Sequence, residues 1–349
     1  MRAFFHDDQR LHSPKQFMRA GRLAEPTDVP RRLDPLLAAL KARGIATEMP
    51  EDRGRGPALA VHAAGYLDYL ATAYQRWQEI PNAGPEVLPN LSPYWNAAPG
   101  VQRPPCPSAA IIPQTGYYLG DLAVPLGPDS WISIMAASHV AAGAADAVLS
   151  GAAASYALCR PSGHHARADR ANGFCYVNNA AIAAQRLRGK FSRVAVLDVD
   201  AHHGDGTQEI FYGRGDVLTV SVHADPAIYY PFFTGYEAER GHGEGAGANC
   251  NIPLPRGASD DDFHGAIDRG LETIKAFGAE ALVVSLGFDS HRNDPIGILG
   301  VTTAGFGGVG RRIRQCGLPV VVVQEGGYQI EVIGDCLGTF LDGFRQGQA

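Results

Sequence analysis

The chain has 349 residues, of which 45% are hydrophobic and 19% charged, and a formal net charge of −6. These figures predict a soluble globular protein with a substantial core, either one large α/β domain or two ordinary ones. The mild acidity gives no general attraction to nucleic acid or to an anionic membrane.

The opening residues Met1-Arg2-Ala3-Phe4-Phe5-His6-Asp7-Asp8 meet charge too early for a signal-peptide apolar region. No apolar run is expected to approach the length of a membrane span. Cys106, Cys159, Cys175, Cys250, Cys316 and Cys336 are scattered, with no CxxC pair. That argues against a disulfide scaffold or a thiolate zinc site and predicts a cytoplasmic protein.

In chain order, helical periodicity predicts helices over residues 34–42 and 59–78. Residues 80–113 carry about nine prolines, which exclude regular helix or central strand. Tyr94 and Trp95, near the middle of this loop, point to order by packing, for instance on a partner subunit. A helix over 131–149 follows, then a strand at 155–159 whose alanines suit a helix as well. Strands at 194–199 and 217–222 precede a glycine-rich flexible loop at 241–247, which lacks the following helix of a dinucleotide site. A helix over 260–277 opens on Asp260-Asp261-Asp262, favourable to its dipole. A strand at 281–286, a helix at 304–314 and a strand at 320–323 complete the pattern. Alternating strands and helices, without repeats or a Gly/Ser linker, imply a single α/β domain over 1–349 with a central, mainly parallel sheet.

The run Asp198-Val199-Asp200-Ala201-His202-His203-Gly204-Asp205-Gly206 directly follows an apolar strand. Charges crowded at a buried strand end need a cation or hydrogen bonds to compensate them. Four further strand ends are polar: Arg160-Pro161-Ser162-Gly163-His164-His165, Ser221-Val222-His223, Gly287-Phe288-Asp289 and Gln324-Glu325-Gly326-Gly327-Tyr328. The carboxyl ends of parallel strands share one edge, where ligands bind, so these residues gather in one cleft. Asp200, His202 and Asp289 supply two carboxylates and one imidazole, the ligand pattern of a catalytic zinc site with an open position. Without sulfur ligands, iron, cobalt or manganese also suit the set. One of His164 and His165 could serve as general base, with Asp198 and Asp205 orienting the imidazoles. Tyr328 could donate to an oxyanion. Taken singly, Asp289 also reads as a helix N-cap and Tyr328 as a core aromatic. His203 is left as a structural residue.

These motifs, with Gly173-Phe174-Cys175-Tyr176-Val177-Asn178-Asn179, resemble the arginase/deacetylase superfamily and specifically the zinc-dependent histone deacetylase family. The N-terminal block, Ala64-Gly65-Tyr66-Leu67, Gly116-Tyr117-Tyr118 and the long loop look most like bacterial acetylpolyamine amidohydrolases. The resemblance implies that Asp200, His202 and Asp289 bind zinc. It makes His165, backed by Asp205, the general base, and His164, backed by Asp198, its electrostatic partner, with Tyr328 polarising the carbonyl. It makes Gly173, Phe174 and Tyr230 tunnel walls. It also implies a structural potassium site formed by Asp198, Asp200, His202, Ser221 and Val222, largely through backbone oxygens, and a homodimer. Acidic residues at the subgroup's channel mouth are replaced here by Phe17, Ile112 and Ala123, so an apolar rim is expected.

The function so implied is metal-dependent hydrolysis of small N-acetylated primary amines such as polyamines or diamines. Alternatives are a protein acetyl-lysine deacetylase, a deacylase for a neutral or aromatic N-acyl amine, and a metal-retaining binding protein without turnover.

Overall fold

The computed structural model describes residues 1–19, 21–92 and 103–347. Tyr94 and Trp95 lie outside the described residues. The strands are β1 Arg2–Phe4, β2 Phe17–Arg19, β3 Arg22–Ala24, β4 Thr47–Glu48, β5 Ala154–Ala157, β6 Val194–Asp198, β7 Val217–Ala224, β8 Asn249–Leu254, β9 Ala281–Leu286 and β10 Val320–Gln324. The α-helices are α1 Leu33–Ala42, α2 Gly56–Leu59, α3 Ala64–Gln78, α4 Ile111–Tyr118 and α5 Ser130–Leu149, then α6 Asn179–Leu187, α7 Asp205–Phe211, α8 Asp260–Phe277, α9 Thr303–Gln315 and α10 Ile330–Gln346.

Eight strands form one sheet in the order β4-β1-β5-β10-β9-β6-β7-β8, and every pairing in it is parallel. Such a sheet is covered on both faces, which is why its strands read as continuous apolar runs. Ala195, Leu197, Leu282 and Val284 pack on one side with α1, α8, α9 and α10. Val194, Val196, Val283 and Val321 pack on the other with α3, α5 and α6. From β6 the chain winds outward through β7 and β8, then returns to β9 on the opposite side. The order therefore reverses between β6 and β9, and ligands bind at the carboxyl ends flanking such a switch.

Several elements differ from expectation. The helix over 59–78 is broken at residues 60–63, because His62 is tied into the core there. Its Nδ1 lies 2.9 Å from the Arg167 carbonyl oxygen, and its Nε2 accepts the Asn178 N–H at 2.8 Å. The proline-rich stretch does not exclude helix at its end. Pro113 sits in the first turn of α4, where no intrahelical N–H is required. The strand placed at 155–159 is Ala154–Ala157 and stops before Cys159.

Helix α5 is long and apolar enough to cross a membrane by length and composition, against the expectation that no run would be; here it is largely buried against α6 and the sheet. The 241–247 segment is not a loose loop. It holds a 3-10 turn at Gly243–Gly245; Gly241 presses on the Gly245 carbonyl and Gly245 on the Tyr212 carbonyl, so that neither has room for a Cβ. The acidic start of α8 is as expected, with Ser259 and Asp262 forming a capping box.

Candidate metal centre and cavity

β6 ends at Asp198, and two side-chain-to-backbone turns carry the chain onward. Asp198 Oδ1 accepts the Asp200 N–H at 3.0 Å, and Asp200 Oδ1 accepts the His202 N–H at 2.9 Å. These Asx turns replace the extended geometry that would have pointed all three side chains one way. Asp198 Oδ2 instead meets His164 Nδ1 at 2.8 Å. Asp200 and His202 turn to Asp289 beyond β9. His202 Nδ1 lies 3.2 Å from Asp200 Oδ1 and 3.1 Å from Asp289 Oδ2. Asp289 Oδ1 accepts the Ala201 N–H and Asp200 Oδ2 the Gly326 N–H, each at 2.9 Å. The next helix begins only at Thr303, so Asp289 is not an N-cap.

Asp200, His202 and Asp289 each present a ligand atom within 4.8 Å of the others, and all are buried. Gly287 and Gly326 back directly onto the two carboxylates, where a Cβ would strike them. Facing buried carboxylates repel unless positive charge lies between them. Burial alone would lower the His202 pKa, but Asp289 and Asp200 outweigh it and raise it to about 9. Two carboxylate oxygens and one imidazole nitrogen in such a cradle fit a divalent cation. His164, Cys175 and Glu325 also lie at ligand spacing. That trio is a poorer cradle: burial pushes the Glu325 carboxyl up to about 8, and its Oε2 already accepts the Gly163 and His164 N–H groups.

His165 Nδ1 lies 2.7 Å from Asp205 Oδ1, and Arg167 Nη2 donates to Asp205 Oδ2 at 2.9 Å. Burial opposes ionisation of Asp205, but Arg167 and His165 overcome it and hold the carboxyl low. The two adjacent imidazoles lie 4.0 Å apart by centroid, and their surroundings shift their pKa values in opposite directions. Burial, followed by the neighbouring His164, lowers His165 to about 4. His164 is raised well above its ordinary value, since Asp198 and Asp200 outweigh the cost of burial. Arg167 was missed in the sequence, although it stands only two residues beyond the His-His pair.

A cavity opens above these groups, and Phe17, Ala123, Gly173, Phe174, Tyr230 and Tyr328 line it together with His165 and His202. Phe174 meets Phe17 and Tyr328 edge-on at centroid distances of 5.3 and 5.6 Å, and Tyr230 stands perpendicular to His165 at 5.0 Å. Tyr328 is thus a cavity residue rather than a core aromatic. Its hydroxyl is raised well above 10 by burial, so it keeps its proton. Ile112 is not among the residues that line this cavity; it lies exposed on α4. Ser221 pairs with Asp198 across β6 and β7, and Val222 follows it. Ser221 Oγ sits between His203 Nδ1 at 3.2 Å and His223 Nδ1 at 2.8 Å, which gives His203 a structural place. Two charged lining residues went unread, Asp121 and Arg256. Neither follows a strand of the pattern that marked the other site residues.

Residues 27–344 match the histone deacetylase domain. The chain belongs to this family, which makes it a metal-dependent hydrolase of the deacetylase type. Among its relatives is the acetylpolyamine amidohydrolase of Burkholderia pseudomallei, 45% identical over 99% of this chain and 98% of the relative. That of Mycoplana ramosa is 40% identical over 98% of this chain and 99% of its own. A crystal structure of the acetylpolyamine aminohydrolase from Burkholderia pseudomallei superposes with a TM-score of 0.95, covering 99% of both chains at 45% identity.

Proposed function

We propose that this protein hydrolyses N-acetylated small primary amines, acetylated polyamines and diamines foremost, to the free amine and acetate. The observation that carries this is the convergence of two Asp–His pairs, a three-residue ligand cradle and Tyr328 on one aromatic cavity. A divalent cation held by Asp200, His202 and Asp289, zinc or alternatively iron or cobalt, supplies Lewis acidity towards the acyl group and lowers the pKa of water.

His165 gives its Nδ1–H to Asp205, which leaves the Nε2 lone pair to accept a proton from water. As the carbon–oxygen bond forms and the carbon–nitrogen bond breaks, the same imidazole returns that proton to the departing amine. His164, protonated against Asp198, stabilises negative charge on the reacting atoms beside it. The Tyr328 hydroxyl donates to the former carbonyl oxygen. Phe174 and Tyr230 flank the alkyl chain, and Gly173 keeps the wall close to His165.

The names of the relatives support polyamines as substrates. Phe17 and Ala123 at the cavity favour a second class, amines with little or no charge beyond the amide. Potassium bound by Asp198, Asp200, His202, Ser221 and Val222, a homodimeric state and a cytoplasmic location complete the proposal, on the resemblance of the motifs. A panel of acetylputrescine, acetylspermidine, acetyl-lysine peptides and neutral aryl acetamides tests it. Preference for the small amines supports the proposal, and preference for the peptides transfers it to protein deacetylation.

A further inference from the structure

The residues Asn172-Gly173-Phe174-Cys175 form a two-residue hairpin closed by Asn172 N–H to Cys175 O at 3.1 Å and Cys175 N–H to Asn172 O at 2.8 Å. Its central residues have φ of +51° and +67°, the sign pattern of a type I′ turn. Glycine adopts that conformation freely, but an aromatic residue such as Phe174 does so only when its surroundings enforce it. The Gly173 N–H takes no part in closing the turn. At an apolar cavity wall it would be a donor without water or partner, which is costly.

Asp121 answers both needs. Its Oδ2 accepts the Gly173 N–H at 3.0 Å and the Tyr230 hydroxyl at 2.7 Å, while Oδ1 accepts the Ala123 N–H at 2.9 Å. Its own segment is stitched to the turn, with Gly120 N–H donating to Ala171 O at 2.8 Å and Ala171 N–H to Tyr118 O at 2.9 Å. Gly120 has no room for a Cβ against the Asn172 side chain. One carboxylate thus joins the two aromatic walls. Each wall touches a reacting group: Tyr230 stands against the His165 ring, and Phe174 against Tyr328.

We infer that Asp121 is a positioning residue, whose carboxylate braces the Gly173–Phe174 turn to the Tyr230 hydroxyl and so sets the tunnel walls around the acyl amine. The inference rests on the hydrolase reading for its kinetics and on the hydrogen bonds alone for its structure. Asp121 is also the one acidic side chain among the described cavity-lining residues, so a direct charge effect on substrate must be separated from the brace.

The test compares Asp121→Ala, Asp121→Asn and Tyr230→Phe, using one cationic and one neutral acetylated amine and hydrogen exchange of the Gly173 amide. A brace predicts that Asp121→Ala lowers kcat/KM by roughly 10- to 100-fold on both substrates, as small misplacements of a binding wall do. Asp121→Asn, whose single oxygen can still accept from Gly173 and Tyr230 while the Ala123 N–H loses its acceptor, retains more activity than Asp121→Ala on both substrates. Tyr230→Phe loses part of the activity, and adding it to Asp121→Ala costs nothing more. The Gly173 amide exchanges faster in Asp121→Ala, with or without metal.

Unchanged exchange together with unchanged kcat/KM overturns the inference. So does a loss confined to the cationic amine that Asp121→Asn shares in full, which would make the carboxylate a charge subsite. If metal-loaded wild type releases no acetate, the hydrolase reading fails, while the exchange comparison still judges the brace.

Discussion

His164 and His165 are neighbours in sequence and in space, yet their environments divide the work between them. Asp198 and Asp200 both act on His164 and keep it charged, while His165 answers to Asp205, whose charge Arg167 already offsets. With His165 lowered to about 4, it is largely free of its proton at neutral pH. A base of lowered pKa remains competent as pH falls, until its own pKa is approached. The acid limb of kcat/KM, measured with metal content held constant, should therefore lie below the ordinary imidazole value of about 6.5. A limb at or above that value would contradict the assignment. His165→Ala should lower turnover by about 10²–10⁴-fold with metal retained, and equal activity would remove it as the base. Tyr328→Phe should lower kcat by about 10²–10³-fold, and an unchanged kcat would remove its hydroxyl from the oxyanion role. The residues at strand ends were legible in the sequence because the end of a continuous apolar run marks where a doubly covered strand stops. Asp121 and Arg167 were not, because each acts on a partner that tertiary structure alone brings near.

Among the elements, those with the strongest periodicity were readable to within a residue or two, as with α1, α8, α9, β9 and β10. The strands at the two ends of the sheet were not. β1 and β4 hold three and two residues, too few for a period to show, and β8 contains Pro253, tolerated because β8 lies at the sheet edge. The α9–α10 contact explains the glycines of α9 that weaken its own helix propensity. Gly310 lies against the Phe340 backbone and Gly343 against that of Gly307, leaving neither room for a side chain. Gly310→Leu should destabilise the protein by at least ~1–3 kcal/mol through overpacking, read as a lowered Tm. Gly265, exposed within α8 with nothing near its Cβ position, should behave oppositely. Gly265→Ala should stabilise by up to about 1 kcal/mol. Equal effects of the two substitutions would show that helix packing is not what the α9 glycines serve.

At the scale of the molecule, the reversal of strand order between β6 and β9 brings Asp200 and His202 beside Asp289, residues far apart in sequence. Once the sheet is parallel, strand-end chemistry has only one edge to occupy, which is why the site could be anticipated before its geometry. The cavity above it depends on Phe17 and Met18 of β2 and on the Asp121 segment, which no periodicity announces; that is why Asp121 was not legible in the sequence. The central claim is that the cradle, the two Asp–His pairs and Tyr328 together hydrolyse an acetylated amine. Its most direct test is to strip the protein of metal, titrate zinc back, and measure acetate and free amine released from acetylputrescine. The account predicts equimolar acetate and amine appearing in step with one equivalent of metal, and neither from Asp200→Asn. Fully loaded wild type that releases no acyl group from this or any amide of the panel would contradict it.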